Sequence, residues 1–287
     1  MAVTANTITS AKVCRALDID FVNSFTEEFN RLFELLGMFP IETAPAGAAI
    51  NQYTVTGTLG SAPAEGDVTP LSLLTVDKTP IGDMAPERYA KMTTAEAILK
   101  GGFENAVIKT DRRMRSNMRS AIWGKFFTGL AAGTGTATGT NLQNALAFGS
   151  AAVSKNLEDN GDDTEKVVSF VNLEDVAAYL GSANIVTQNA FGVNYLRDFL
   201  GLGDVIATSK VTKGTVYSTP IENIHIYGLD FASLNEAGLE YETDANGLIG
   251  IHHKPDYDRG SATTFAMLGM KMVPEVKNYI VKTTISA

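Results

Sequence analysis

Six of the nine prolines in this 287-residue chain (Pro40, Pro45, Pro63, Pro70, Pro80 and Pro86) crowd into residues 40–90. Proline lacks the amide donor and clashes with the preceding helical turn, so no long helix fits there. Extended chain fits instead. The stretches "INQYTVTGTL" (50–59) and "VTPLSLLTVDK" (68–78) are rich in β-branched residues and flank "GSAPAEGD" (60–67), which predicts a long hairpin with a flexible tip. Its apolar residues alternate poorly, so few find a core locally. A two-stranded ribbon alone is marginal in water, and this one is expected to lie on something else.

Upstream, "DIDFVNSFTEEFNRLFELLG" (18–37) reads as an amphipathic helix. Asp18 or Asp20 can cap it, Phe21, Phe25, Phe29, Leu32 and Leu36 recur at helical steps, and Gly37 supplies a stop. The longest helical pattern covers 93–130, with Leu99, Phe103, Val107, Met114, Met118 and Ile122 as one stripe. Gly101 and Gly102 should weaken or bend it, at about 1 kcal/mol per Gly relative to Ala. "AAGTGTATGT" (131–140) reads as a flexible loop, and 141–157 as a further helix before the acidic turn "EDNGDD".

Short elements then alternate. "KVVSFV" reads as a buried strand, "NLEDVAAYLG" as a helix capped by Asn172, and "VNYLRDFLG" as a second helix. "DVIATSKV", "GTVYST" and "NIHIYGLD" read as strands, as do "GLEYET", "GLIGIHHKPDY" and the closing "TTFAMLGMKMVPEVKNYIVKTTIS". No internal repeat is present. With 45% hydrophobic and 19% charged residues, the chain is ordered and large enough for a sizeable core. No apolar run reaches the roughly 18 residues of a membrane span. The first residues lack a basic stretch followed by an apolar core, so no signal peptide is expected. A single cysteine, Cys14, excludes an internal disulfide and suits a reducing cytoplasm.

Charge is unevenly spread. Formal net charge is −9, yet residues 100–125 hold seven Lys/Arg against Glu104 and Asp111. The remainder carries sixteen basic residues against thirty acidic, which disfavours general nucleic-acid binding by the whole surface. At 100° per residue, Arg112, Arg115 and Arg119 share a helix face away from the apolar stripe, with Lys109 and Arg113 beside them. That face is predicted to meet something acidic.

No enzyme signature emerges, and no catalytic, cofactor or metal residues are assigned. The glycines of 133–140 lack the Gly-Lys-Ser/Thr ending of a phosphate loop. His252 and His253 are adjacent on a predicted strand and point to opposite faces, which suits ordinary strand histidines; His225 is the third. Glu158, Asp159, Asp162, Asp163 and Glu165 do not have EF-hand spacing and read as a solvated turn. Asp256, Tyr257, Asp258 and Arg259 read as a charged loop pairing with a neighbour, and Trp123 and Tyr89 as packing anchors.

The order of these elements resembles the major capsid proteins of tailed bacteriophages, the Hong Kong-type (HK-ninety-seven) capsid family, whose fold encapsulins share. The resemblance implies an α+β fold with an N-terminal arm (1–39), an E-loop hairpin (40–90), a spine helix with P-domain (91–166), an A-domain (167–236) and returning P-domain strands (237–287). "VVSFVNLEDVAAYLG" is similar to the family's entry to the A-domain. "DVIATSKVTKGTVYST" resembles the strand pair before the last A-domain strand, here "NIHIYGLDF", and the chain's ending resembles the closing P-domain strands. It implies a non-enzymatic shell protein, assembled in a host cytoplasm into the virion capsid as pentamers and hexamers. Implied partners are a separate scaffold protein, a portal and packaged double-stranded DNA, with no membrane and no cofactor. Tyr53, Val55, Leu73, Leu74 and Lys78 are the expected E-loop contacts, and Lys109, Arg112, Arg113, Arg115 and Arg119 the charges facing other subunits or DNA. The isopeptide cross-link of some members needs an E-loop Lys, a P-domain Asn and a catalytic Glu. Lys78 is a possible first member; the other two have no assignable match. The alternatives are an encapsulin-type compartment shell and, from another class, a soluble α/β nucleotide-binding enzyme.

Overall fold

The computed structural model describes residues 18–19, 21–23, 42–45, 47, 49–163, 166–180, 188–190, 193–196, 203–232, 234, 238–243 and 248–286. Its first half supplies β1 (Glu42–Pro45), β2 (Ala49–Thr58), β3 (Leu73–Asp83), β4 (Glu87–Thr94), helices α1 (Ala95–Gly101) and α2 (Lys109–Ala131), β5 (Gly135–Gly139) and α3 (Leu142–Asn160). The second half supplies β6 (Val167–Asn172), α4 (Leu173–Leu180), β7 (Gln188–Ala190), β8 (Val193–Leu196), β9 (Asp204–Thr208), β10 (Thr215–Pro220) and β11 (Ile224–Asp230). It closes with β12 (Glu242–Thr243), β13 (Ile249–Asp256), β14 (Ser261–Leu268), β15 (Met270–Pro274) and β16 (Val281–Ile285).

Among the described residues these strands form four sheets. The largest has the order β5-β16-β10-β6-β9-β8-β7, and its middle is buried on both faces. Alternation sorts the side chains. Val168 and Phe170 of β6 and Ile206 of β9 meet Phe126 and Phe127 of α2. On the other face Val171, Val205 and Ala207 meet Leu142, Ala145 and Leu146 of α3 and Val176 of α4. A second sheet, β12-β13-β14-β4, is antiparallel throughout. In the third, β11 runs parallel to β1 and antiparallel to β15. The fourth is the hairpin β2-β3, which pairs with no other described strand.

The helices follow local rules. The Thr94 side chain caps α1 by accepting the Ala97 amide. Gly102, with φ of 76°, then breaks the helix in a conformation that disfavours a side chain. A π-helical turn, Glu104–Ile108, leads into α2. Thus the long helical pattern holds with its break at the glycine pair, but it starts at Ala95, because Glu87–Thr94 is strand. The stripe is buried only from Val107 onward; Leu99 is 86% exposed and Phe103 is also exposed. Asn141 caps α3 and Gly161 closes it in the left-handed region. Asn172 Oδ1 accepts the Glu174 amide at the start of α4, as expected.

Three readings need correction. Residues 131–140 hold a strand, not merely a loop: β5 lies parallel to β16, with Thr136 opposite Lys282 and Thr138 opposite Thr284. Its glycines serve close approach, since a Cβ on Gly139 would meet the Ala145 amide nitrogen at 2.5 Å. Val193–Leu196 is strand rather than helix, because pairing with β9 satisfies its backbone; 197–201 lies outside the described residues. The "GLEYET" strand shrinks to Glu242–Thr243. The last three strands join three different sheets, and β11 sits with β15, pairings that the sequence reading left open. Most of the predicted 18–37 helix lies outside the described residues, although 18–19 and 21–23 are helical.

Candidate assembly surfaces

The hairpin leaves most of its apolar side chains uncovered by the rest of the chain. In its register Tyr53 faces Lys78, Val55 faces Val76 and Gly57 faces Leu74. Its second strand starts at Leu73 rather than Val68 and runs past Lys78 to Asp83. Tyr53 is 60% exposed, and Val55, Leu73, Leu74, Val76 and Lys78 are exposed with it. Neighbours along a strand point to opposite faces, so Leu73 and Leu74 display apolar surface on both. Among the described residues the base is held: Ile50 packs near Met84, Leu229, Phe231 and Met267. Burying each such side chain is worth about 1.5–3 kcal/mol, and the subunit leaves that gain unrealised.

Of the six basic residues of α2, the five expected to face a partner do not share one role. Lys109, Arg112 and Arg113 are exposed, with Lys109 Nζ donating to Asn105 Oδ1 at 2.6 Å. Arg115 is half-buried, its guanidinium 5.4 Å from the centre of the Phe21 ring. Arg119 is half-buried too. The outward basic face is therefore Lys109, Arg112 and Arg113, while Arg115 joins the helix to the N-terminal segment.

Beneath that face lies a buried charge cluster that the sequence did not reveal. His253 on β13 is 6% exposed and Asp111, the acid within the basic segment, is 7% exposed. The His253 imidazole donates through Nδ1 to Asp18, and its Nε2 lies 3.4 Å from Asp111 Oδ2. Lys91 of β4 donates to Asp111 at 2.5 Å and to Thr110 Oγ1 at 2.7 Å. Burial pulls the imidazole pKa down, but bonds to Asp111 and Asp18 outweigh it and hold the value at about 9. Burial likewise raises Asp111, yet bonds from His253 and Lys91 leave it below its ordinary value. Asp18, expected as a helix cap, instead ties the N-terminal segment to β13, also accepting the His253 amide at 3.3 Å. Asp20 lies outside the described residues. No spacing links residues 18, 91, 111 and 253, which is why the cluster was illegible.

The remaining candidates have structural roles. His252 lies beside the Tyr241 ring, and His225 Nε2 is 3.6 Å from Glu275. No group of three or more His, Cys, Asp or Glu suited to a metal occurs among the described residues. Asp162 of the acidic turn accepts the Tyr279 hydroxyl, whose pKa burial and this bond push up to about 12. Asp256 accepts the Asp258 and Arg259 amides, which shapes the charged loop. Trp123 stacks on Phe127 and packs edge-on against Phe126, a packing anchor as expected. Cys14 and Glu165 lie outside the described residues. Among the described residues, no helix is long and apolar enough to cross a membrane.

No protein-family model matches the sequence, and no curated protein matches it. Solved structures do. A cyanophage P-SCSP1u capsid structure aligns with TM-score 0.57 at 6% identity, covering 85% of each chain. A capsid of a native GTA particle aligns with TM-score 0.53 at 10% identity, covering 86% of this chain and 88% of that one. The SrpI encapsulin of Synechococcus elongatus gives 0.51 at 8% identity, with 85% of each chain covered. At such identities the likeness shows the fold: α+β, of the Hong Kong-type shared by phage capsids and encapsulins.

Proposed function

We propose that this chain is the repeating subunit of a closed protein shell, and that the shell is the major capsid of a tailed phage. The observation that carries the reading is the β2-β3 hairpin, which exposes apolar residues on both faces and has no core in its own subunit. The fold it shares with capsid and encapsulin chains supports the same conclusion. In this reading residues 1–39 are the N-terminal arm, 40–90 the E-loop and 91–166 the spine helix with P-domain, while 167–236 form the A-domain and 237–287 the returning P-domain. β4 pairs with β14 and not with the hairpin, which supports ending the E-loop before Glu87. Tyr53, Val55, Leu73, Leu74 and Lys78 contact the next subunit. Lys109, Arg112 and Arg113 meet carboxylates of neighbouring subunits or a scaffold protein, and packaged DNA is the lesser partner. Their face is too short for a DNA-binding lining in a chain of net charge −9. The subunit's role is structural rather than catalytic.

A compartment shell enclosing cargo protein is the second reading, favoured by the encapsulin likeness. Electron microscopy of the purified protein, alone and with candidate scaffolds, tests both. Closed particles tens of nanometres across are expected; a monodisperse monomer under all conditions overturns the shell reading. Nucleic acid inside particles from the native source supports the phage assignment, and enclosed enzyme supports the compartment.

A further inference from the structure

Helix α2 leaves a cleft of about 730 Å³ against the foot of the hairpin, between Gly124 and Thr128 on one side and Pro80 and Met84 on the other. The room exists because the helix is bare there: a Cβ on Gly124 would meet nothing within 4 Å. Met84, Met270 and Met272 are buried and form an apolar floor. Methionine's flexible thioether adapts to an irregular apolar guest. Lys125, Lys271 and Lys277 line the cleft too, with Asp83 as the acid among its lining residues. We propose that this cleft is a binding site for a medium-chain fatty-acid anion, its carboxylate held by Lys271 and Lys277 and its alkyl chain laid on the methionines beside Gly124.

Shape and charge together select that class of ligand. A concave site of roughly 300–1,000 Å³ with an apolar lining and a few placed polar groups is the usual form of a small-molecule pocket. The cations around this one are not equivalent. Lys125 Nζ is paired with Glu87 at 3.1 Å. Lys271 Nζ donates to the Asp83 carbonyl oxygen at 3.3 Å, and burial holds its pKa below the ordinary lysine value. A carboxylate beside it favours the ammonium form and offsets that desolvation. Lys277 is exposed in the turn after β15 and supplies the second charge. An acidic peptide would lay backbone amides on the methionine floor without partners, whereas an alkyl chain has no polar group to satisfy. All of these groups lie in one subunit, so the site does not depend on shell formation.

Isothermal titration calorimetry on the unassembled full-length subunit tests the site, with octanoate, decanoate and laurate kept below micelle formation. One anion per subunit is expected, with affinity rising about fourfold for each methylene buried. Dodecyltrimethylammonium, a cationic head on a similar tail, should bind at least tenfold more weakly than laurate. Lys271→Gln with Lys277→Gln should weaken laurate at least tenfold and remove that preference. Gly124→Leu should fill the cleft and weaken laurate at least tenfold, while the melting temperature stays at or above the parent's, because leucine favours a helix over glycine. In spectra of methyl-labelled methionine, laurate should shift the Met270 and Met272 signals and leave that of Met92, 56% exposed on β4, in place. Absence of saturable binding, equal affinity for both head groups, or undiminished binding by Gly124→Leu overturns the proposal. None of these outcomes bears on whether the subunit forms shells, so the two readings fail separately.

Discussion

Asp111 looked like a stray acid in a basic segment; it is the hinge of a buried network that joins four parts of the chain through Lys91, His253 and, beyond the imidazole, Asp18. Its pH dependence has a definite sign. His253 has its folded pKa raised to about 9 from 6.5, so its stabilisation is complete below about pH 6.5 and is lost as pH rises through 9. By linkage that shift is worth about 3 kcal/mol at most. Asp111, held low, contributes above its ordinary value and loses its share as pH falls through the lowered one. Thermal melts of the unassembled subunit should therefore fall between pH 7 and 10. His253→Gln should flatten that limb and cost about 3 kcal/mol near pH 7, because buried Asp18 and Asp111 both lose the imidazolium and Asp111 keeps Lys91. An unchanged slope in the variant would assign the alkaline loss to other groups. Arg115 sets a second residue-scale expectation. Its cation–π contact with Phe21 is worth about 0.5–1 kcal/mol, so Arg115→Gln should lower subunit stability by that order in urea titrations. Arg112→Gln with Arg113→Gln should leave subunit stability within about 0.5 kcal/mol yet weaken assembly of empty particles. If empty particles form normally and only nucleic-acid retention drops, those two arginines face DNA.

At the scale of elements, the hairpin makes the sharpest claim. Ile50 and Gly82 face each other at its base, so residues 51–80 can be replaced by a short Gly/Ser link without stretching the chain. The shortened subunit should melt cooperatively within a few degrees of the parent, and it should not form particles; loss of cooperative folding would make the hairpin part of the core. This element was legible in advance because prolines and β-branched residues constrain the chain locally. Helix α3, the buried β6 and the Asn172 cap were legible for the same reason: pattern and cap lie within a few residues of each other. What escaped was set by distant partners. β5 is a strand because β16, some 140 residues later, lies beside it. Val193–Leu196 is a strand because β9 offers an edge, although its apolar spacing fits a helix equally well. Exposure of Leu99 and Phe103 was equally hidden, since periodicity marks a stripe without saying where its cover ends.

Across the whole molecule, the order of the large sheet carries a consequence for synthesis. β16 lies inside the sheet, between β5 and β10, although it follows both in sequence. On the ribosome β5 and β10 emerge first and must wait with facing edges unpaired until β16 clears the exit tunnel. Pairings so far apart in sequence are slow to close, and open edges invite association with other chains. A chain stopped at Ile280 is therefore expected to be protease-sensitive around 135–139 and 215–218 and to form no particle, which limited proteolysis of the truncated protein measures directly. Supplying residues 281–286 as a separate peptide should restore protection. A shell subunit whose main sheet waits for residues 281–285 is assembly-incompetent until they are translated, so that polysomes crowded with identical chains would not nucleate shells prematurely.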